Sequence, residues 1–180
     1  MLLPEAIDEF ILYIEIEKNY SVNTVSSYSL DLKMFHDFLV AHERSLHLND
    51  INKTIVRRFI QEKVTKDQLK PRTLHRKISS LRSFTKYCTQ ENFLEHDFMI
   101  GIERPKVDDK LPVYMTLLEL RKLFNYLDQN TSRFALRNNL MFKLLATSGM
   151  RRSELVSLIW EQIDLNSQTV TIYGKGKKNA

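Results

Sequence analysis

The stretch LLATSGMRRSEL, Leu144 to Leu155, decides how this chain is read. An apolar run of helical character ends at Ser148-Gly149, a pair that stops helices. Two adjacent arginines, Arg151 and Arg152, then open a second helical pattern that reaches about Trp160. A buried helix, a tight glycine turn and a new helix predict that Arg151 stands at an inner junction. A guanidinium held there is costly unless an anion meets it. Glu154, three residues on, could be that anion, giving a structural ion pair. A phosphate could equally be the partner, and the stretch alone leaves both open.

Downstream of the arginines, TVTIY (Thr169–Tyr173) alternates as a strand does, and GKGKK (Gly174–Lys178) follows as a basic turn. Upstream, Thr116 and Glu119 have the spacing of a capping box ahead of Leu120, Phe124 and Leu127. The next helix, about 133–147, is nearly all apolar at its end and is expected to be buried. PKVDDKLPVYM (Pro105–Met115) has two prolines and no helical pattern, so it reads as a linker. The expected organisation is a helical domain over 1–106, a linker over 107–115, and a second unit over 116–180.

The first domain is read as four or five helices. Leu3, Ile7, Phe10, Ile11 and Ile14 have helical spacing, with Pro4 in the first turn. A second helix follows Ser21, a good N-cap, with Tyr20 and Val25 placed for a hydrophobic staple. Its apolar face runs through Val25, Tyr28, Leu32, Phe35 and Leu39. A third helix follows Asn52 and turns Ile55, Val56, Phe59 and Ile60 inward. In the fourth, about 72–87, Leu74, Ile78, Leu81, Phe84 and Cys88 share one arc, while Arg72, Arg76, Arg82 and Lys86 share the opposite one. Ser79 and Ser83 lie between these cations, and Lys77 falls near the apolar edge. Such a helix can bury one face and offer the other to phosphates.

Charge distribution points the same way. Residues 44–86 hold 12 Lys/Arg against 3 Asp/Glu, whereas residues 1–43 hold 2 against 8. Clustered positive charge is the footprint of a polyanion binder, and a solvated basic face is the plain alternative. No apolar run of about 18 residues is present, so no membrane span is expected. The acidic N-terminus lacks the basic region of a signal peptide, and the single Cys88 excludes an internal disulfide or a cysteine metal cluster. A cytoplasmic location follows as the default expectation.

ATSGMRRSELVSLIWEQID, then a strand, then GKGKK, resembles the tyrosine recombinase (phage integrase) family, most closely its Xer-like members. YSVNTVSSYSLDLKMFHDFL (Tyr20–Leu39) and RTLHRKISSLRSFTKYC (Arg72–Cys88) are similar to two helices of its first domain, and PKVDDKLPVYMTLLEL to its inter-domain linker. Three departures stand out: Gln162 replaces an acid, Ser148 stands where Thr is common, and Asp97-Phe98 replaces Asn-Pro. The resemblance implies a mainly α fold: an N-terminal core-binding (SAM-like) domain, then the first part of an α+β catalytic domain.

The family implies site-specific breakage and rejoining of double-stranded DNA, gripped between the two domains. It also implies partnership with other recombinase protomers, four on paired sites, with no metal or other cofactor. A tyrosine attacks the scissile phosphate to give a 3′-phosphotyrosyl link. Carried onto this chain, Arg151 matches the first catalytic arginine, whose fork holds two phosphate oxygens. Lys175 matches the lysine expected to act as general acid to the departing 5′-oxygen, and Gly174 and Gly176 let that turn approach closely. Glu154 is expected to support the helix junction, and Arg152 to be a surface residue. Ser21, Asn23 and Thr24 resemble the backbone-contacting start of the second helix. With Arg72, Arg76, Arg82 and Lys86 they form the expected DNA-binding set.

The family's H-x-x-R pair and nucleophilic tyrosine are not found among these 180 residues. None of His36, His42, His47, His75 and His96 has Arg three positions later, and Tyr173 stands where the family does not place its nucleophile. The expectation is therefore a fragment with Leu144, Leu145 and Trp160 short of packing partners. An alternative is a non-catalytic module that occupies half-sites or modulates a full recombinase. A helical transcription regulator is a weaker reading, because it leaves the arginine motif and GKGKK unexplained.

Overall fold

A computed structural model describes residues 1–106, 111 and 113–172. The chain divides into two compact units, Met1–Lys110 and Leu111–Ala180.

Unit 1 is helical. Helix α1 (Leu3–Leu12) runs straight into a π-helical turn, Tyr13–Glu17. It is followed by α2 (Val22–Ala41), α3 (Lys53–Thr65) and α4 (Pro71–Gln90). Each start matches a sequence signal. Pro4 and Pro71 occupy first-turn positions where a missing N–H costs nothing. Asn52 caps α3 through Oδ1, which accepts from the amides of Thr54 (3.0 Å) and Ile55 (3.2 Å). Ser21 is the N-cap of α2 by backbone geometry, but its hydroxyl makes no cap bond. Ser21 Oγ meets Thr24 Oγ1 instead, at 2.8 Å.

The periodic faces named above meet in one core. Leu32, Phe35 and Leu39 of α2, Val56 and Phe59 of α3, and Leu74, Ile78, Leu81, Phe84 and Cys88 of α4 are buried together with Leu3, Ala6 and Phe10. Aromatic rings dominate the packing. Phe10 sits edge-on to Phe84 at 5.6 Å, and Phe35 edge-on to Phe59 at 5.1 Å. The departure at Asp97-Phe98 is absorbed locally. Asp97 Oδ1 accepts from the Met99 amide at 2.7 Å and makes the turn, while Phe98 is buried 6.4 Å from Phe35.

Unit 2 holds α5 (Leu117–Gln129), α6 (Ala135–Ser148), the short α7 (Arg152–Val156), and a two-stranded antiparallel pair. Strand β1 (Ile163–Asp164) pairs with β2 (Thr169–Val170), Ile163 opposite Val170. The Thr116–Glu119 capping box is present. The Glu119 amide donates to Thr116 Oγ1 (3.3 Å), and the Thr116 amide donates to Glu119 Oε2 (2.8 Å). Asp128 fastens α5 to α6 by accepting from Asn139 Nδ2 (2.6 Å) and Lys143 Nζ (2.8 Å).

Two expectations fail in this unit. Helix α6 contains no buried residue; Leu136, Leu140 and Phe142 are exposed, and Leu144 and Leu145 are half-buried. Among the described residues α6 packs on α5 and α7, and neighbours on so few sides leave much of an apolar cylinder uncovered. The helix expected to reach Trp160 instead stops at Val156. The chain turns through Ser157, runs extended at Ile159, and makes a single 3₁₀ turn at Trp160–Gln162. Strand β1, two residues long, leaves no pattern in the sequence. Its return is set by Asp164 Oδ1, which accepts from the amides of Asn166 (2.8 Å) and Ser167 (3.1 Å). No helix among the described residues is long and apolar enough to cross a membrane.

Candidate nucleic-acid interface

On unit 1, α2 and α4 lie against each other in antiparallel sense. Tyr28 meets Ser83 (3.4 Å), whereas Asp31, further along α2, meets residues 76, 77 and 80 nearer the start of α4. The Ser21–Thr24 start of α2 therefore lies toward the Lys86 end of α4. Ser21 and Asn23 are exposed and Thr24 half-buried. Arg72 and Lys86 are exposed, with no hydrogen bond or ion pair among the described residues. Lys86 lines a half-open cavity beside α1 with Lys18, Tyr13, Tyr20, Tyr28 and Ser83.

The other two cations of the predicted face are tied to the protein. Arg82 is half-buried and donates from Nη2 to the carbonyl of Ile102. Arg76 donates from Nη1 to Asp31 Oδ2 (2.5 Å) and, more loosely, to the Ser27 carbonyl (3.5 Å). Asp31 is the surprise. Its side chain is 0% exposed, and it also accepts from Lys77 Nζ (2.9 Å) and Ser80 Oγ (2.8 Å). Lys77, which the sequence placed only near the apolar edge, is itself 4% exposed. A signal for this network was present. At about 100° per residue Asp31 falls between Phe35 and Phe38 on the core-facing arc of α2. A carboxylate there, facing a lysine at the apolar edge of α4, calls for a buried pair.

In unit 2, Gly149 closes α6 in the left-handed region (φ +68°), as the sequence predicts, and Arg151 is the N-cap of α7. Its surroundings differ from the expectation. The side chain is 73% exposed rather than held at an inner junction, because the flanking α6 is itself uncovered. The Glu154 alternative is realised. The Arg151 amide donates to Glu154 Oε2 and Nη1 to Oε1, both at 2.7 Å. The Arg151 amide, and then its guanidinium, hold the Glu154 carboxyl below its ordinary range. Nε and Nη2 of Arg151 have no partner among the described residues. Arg152 is exposed. Lys175, Gly174, Gly176 and Tyr173 lie outside the described residues.

Two family models match in tandem. "Phage integrase, N-terminal SAM-like domain" covers residues 7–92, and "Phage integrase family" covers residues 114–180. The chain belongs to the phage integrase family. This integrase chain is 35% identical over 178 residues to tyrosine recombinase XerD of Oceanobacillus iheyensis, spanning 98% of this chain and 59% of that protein. It is 36% identical over 170 residues to tyrosine recombinase XerC of Bacillus licheniformis, spanning 94% and 55%. The chain thus spans somewhat over half the length of these curated relatives.

Among solved structures it is similar to a λ integrase (75–356) dimer bound to a COC′ core site, with TM-score 0.74 and 15% identity over 98% of this chain and 60% of that one. XerH site-specific recombinase bound to palindromic difH substrate aligns with TM-score 0.66 and 23% identity over 96% and 51%. The fold is therefore the expected one: a helical SAM-like domain followed by the start of an integrase catalytic domain.

Proposed function

We propose that this chain binds duplex DNA through unit 1 and carries the opening part of a site-specific tyrosine recombinase. The observation that carries the reading is the outward arc of α4. Arg72 and Lys86 stand unpaired on it among the described residues, Arg76 lies between them, and the hydroxyl- and amide-bearing start of α2 lies toward its Lys86 end. Arg72 and Lys86 are 14 residues apart, about 21 Å along the helix, so they can touch separate phosphates of one duplex. Ser21, Asn23 and Thr24 offer neutral donors suited to the backbone between them. Arg82, through the guanidinium nitrogens not given to Ile102, is a secondary contact. The recombinases of similar fold are bound to a core site and to difH, which agrees with a nucleic-acid role for this chain.

In the same reading Arg151 and Lys175 serve one phosphodiester. Arg151 would hold the non-bridging oxygens with the part of its fork not given to Glu154, and Lys175 would protonate the departing 5′-oxygen. Other recombinase protomers, paired on two sites, are the proposed partners, and DNA places the work in the cytoplasm. The 180 residues contain no H-x-x-R pair. These residues alone are thus proposed to occupy DNA without cutting it, which is the modulator role. A nicked suicide duplex carrying the cognate half-site separates the two roles. Binding without a covalent adduct supports a DNA-binding module; an adduct lost on Tyr173→Phe would show cleavage by this chain alone. Failure to retain duplex DNA at low salt would sink both.

A further inference from the structure

The Asp31 cluster holds one anion and two cations in the α2–α4 seam. Lys77 and Ser80 are buried with it, so one positive charge neutralises Asp31 inside the protein. The second, on Arg76, sits at the outer edge with its side chain 45% exposed. Nη1 is turned inward to Asp31 and to the Ser27 carbonyl, while Nε and Nη2 have no partner among the described residues. An arginine is the residue that can do this, because its planar fork can hold a carboxylate on one side and present donors on the other.

We infer that Asp31 is a positioning residue for DNA binding: it locks the Arg76 guanidinium at the surface of α4 so that its remaining donors meet a backbone phosphate without further ordering. The inference rests on the proposed DNA-binding reading. Fixing a long side chain in advance removes the ordering cost that binding otherwise carries. Lys77 has the complementary task. It offsets the buried carboxylate, so the Arg76 charge is not consumed by the protein interior.

The test uses the full chain and a short fluorescein-labelled duplex of mixed sequence. Asp31→Leu/Lys77→Met removes one charge of each sign, so net charge stays at +5. It also replaces a buried pair by apolar side chains, an exchange that folds commonly tolerate. Arg76→Ala is expected to weaken binding about fivefold in the native chain and only about twofold in the Asp31→Leu/Lys77→Met background, where an unfixed guanidinium still reaches a phosphate but bears the ordering cost. An equal factor in both backgrounds overturns the inference.

Arg76→Lys in the native chain gives an independent reading. A single ammonium cannot both pair with Asp31 and reach outward as the fork does, so the phosphate contact should be lost although the charge is kept: affinity should fall and the slope of log K against log salt should become shallower by about 0.9. Unchanged affinity overturns the inference as well. If Arg76→Ala costs nothing while Arg72→Ala and Lys86→Ala still lower the slope, the α4 face stands and the role of Asp31 falls. If none of the three variants matters, the DNA-binding reading itself is wrong, and the inference falls with it.

Discussion

Removing both free ends of the α4 face, Arg72→Ala/Lys86→Ala, is the most direct perturbation of the proposed interface. Both side chains are exposed and neither makes a hydrogen bond or ion pair among the described residues, so their loss should leave the fold intact. Their separation of about 21 Å exceeds the screening length of about 10 Å at 0.1 M salt, so the two contacts should act independently. Each phosphate neutralised contributes about −0.9 to the slope of log K against log salt. Two lost contacts should make the slope shallower by about 1.8. Between about 50 and 200 mM salt, where log salt rises by about 0.6, the native chain should then lose about tenfold more affinity than the variant.

Fluorescence anisotropy over that range measures the slope, with far-ultraviolet circular dichroism to show that the helices persist. Lys63→Ala is a suitable control, because Lys63 is already paired with Asp67 at 2.7 Å. It should leave the slope close to native. A native slope in the double variant would mean that this arc is simply solvated, and the proposed interface would be lost.

Other outcomes follow from single contacts. Phe35→Ala removes a fully buried ring packed on Phe59, Phe38 and Phe98, and should destabilise unit 1 by about 3–5 kcal/mol in urea unfolding. Cys88 is buried, and burial pushes its thiol up to about 12, so it should resist thiol reagents at neutral pH and react only in denaturant; prompt labelling of the native chain would contradict the core described here. Glu154 should titrate below the ordinary 4.5 when followed by carboxyl carbon NMR. Its folded value is depressed, so the clamp on α7 is present above the unfolded value and is lost as pH falls through the folded one. Thr116→Ala should cost α5 about 1 kcal/mol by removing the hydroxyl half of its capping box.

Much of unit 1 is legible in its sequence because each helix buries a stripe, and a stripe leaves a period. Val56, Phe59, Leu74, Ile78 and Phe84 are buried where 3.6-residue spacing puts them. Caps are legible for the same local reason, as Asn52 and Thr116 illustrate. Which partners the cations of α4 take is not legible. On a helical wheel Arg72 and Lys86 fall about 20° from the centre of the basic arc and Arg76 and Arg82 about 60° from it, at its edges. The edge pair are the tied ones, but their partners, Asp31 and the Ile102 carbonyl, come from elsewhere in the chain. Unit 2 misled for the opposite reason. The apolar run of α6 signals a helix that can be buried, and whether anything covers it depends on segments far from it in sequence. The five-residue α7 and two-residue β1 are shorter than any period.

The exposed state of α6 bears directly on Arg151. A guanidinium stabilises a pentavalent phosphate most when water is excluded and its donors are fixed in advance. Here the Arg151 side chain is 73% exposed, so a charge pair at about 4 Å falls nearer the 1 kcal/mol of bulk water than the several kcal/mol of a shielded site. One of its nitrogens is already given to Glu154. The position of Arg151 is set by its own neighbours, Gly149 and Glu154, but its dielectric surroundings are not. Trp160 (78% exposed), Leu136 and Phe142 leave apolar surface around this unit open to solvent. Covering that surface would raise the worth of the arginine without moving it. The α4 face has no such requirement, since phosphate contacts at a solvated surface gain chiefly from counterion release. On these 180 residues, the proposed DNA binding therefore needs only unit 1 as it is, whereas the proposed catalytic use of Arg151 depends on what encloses it.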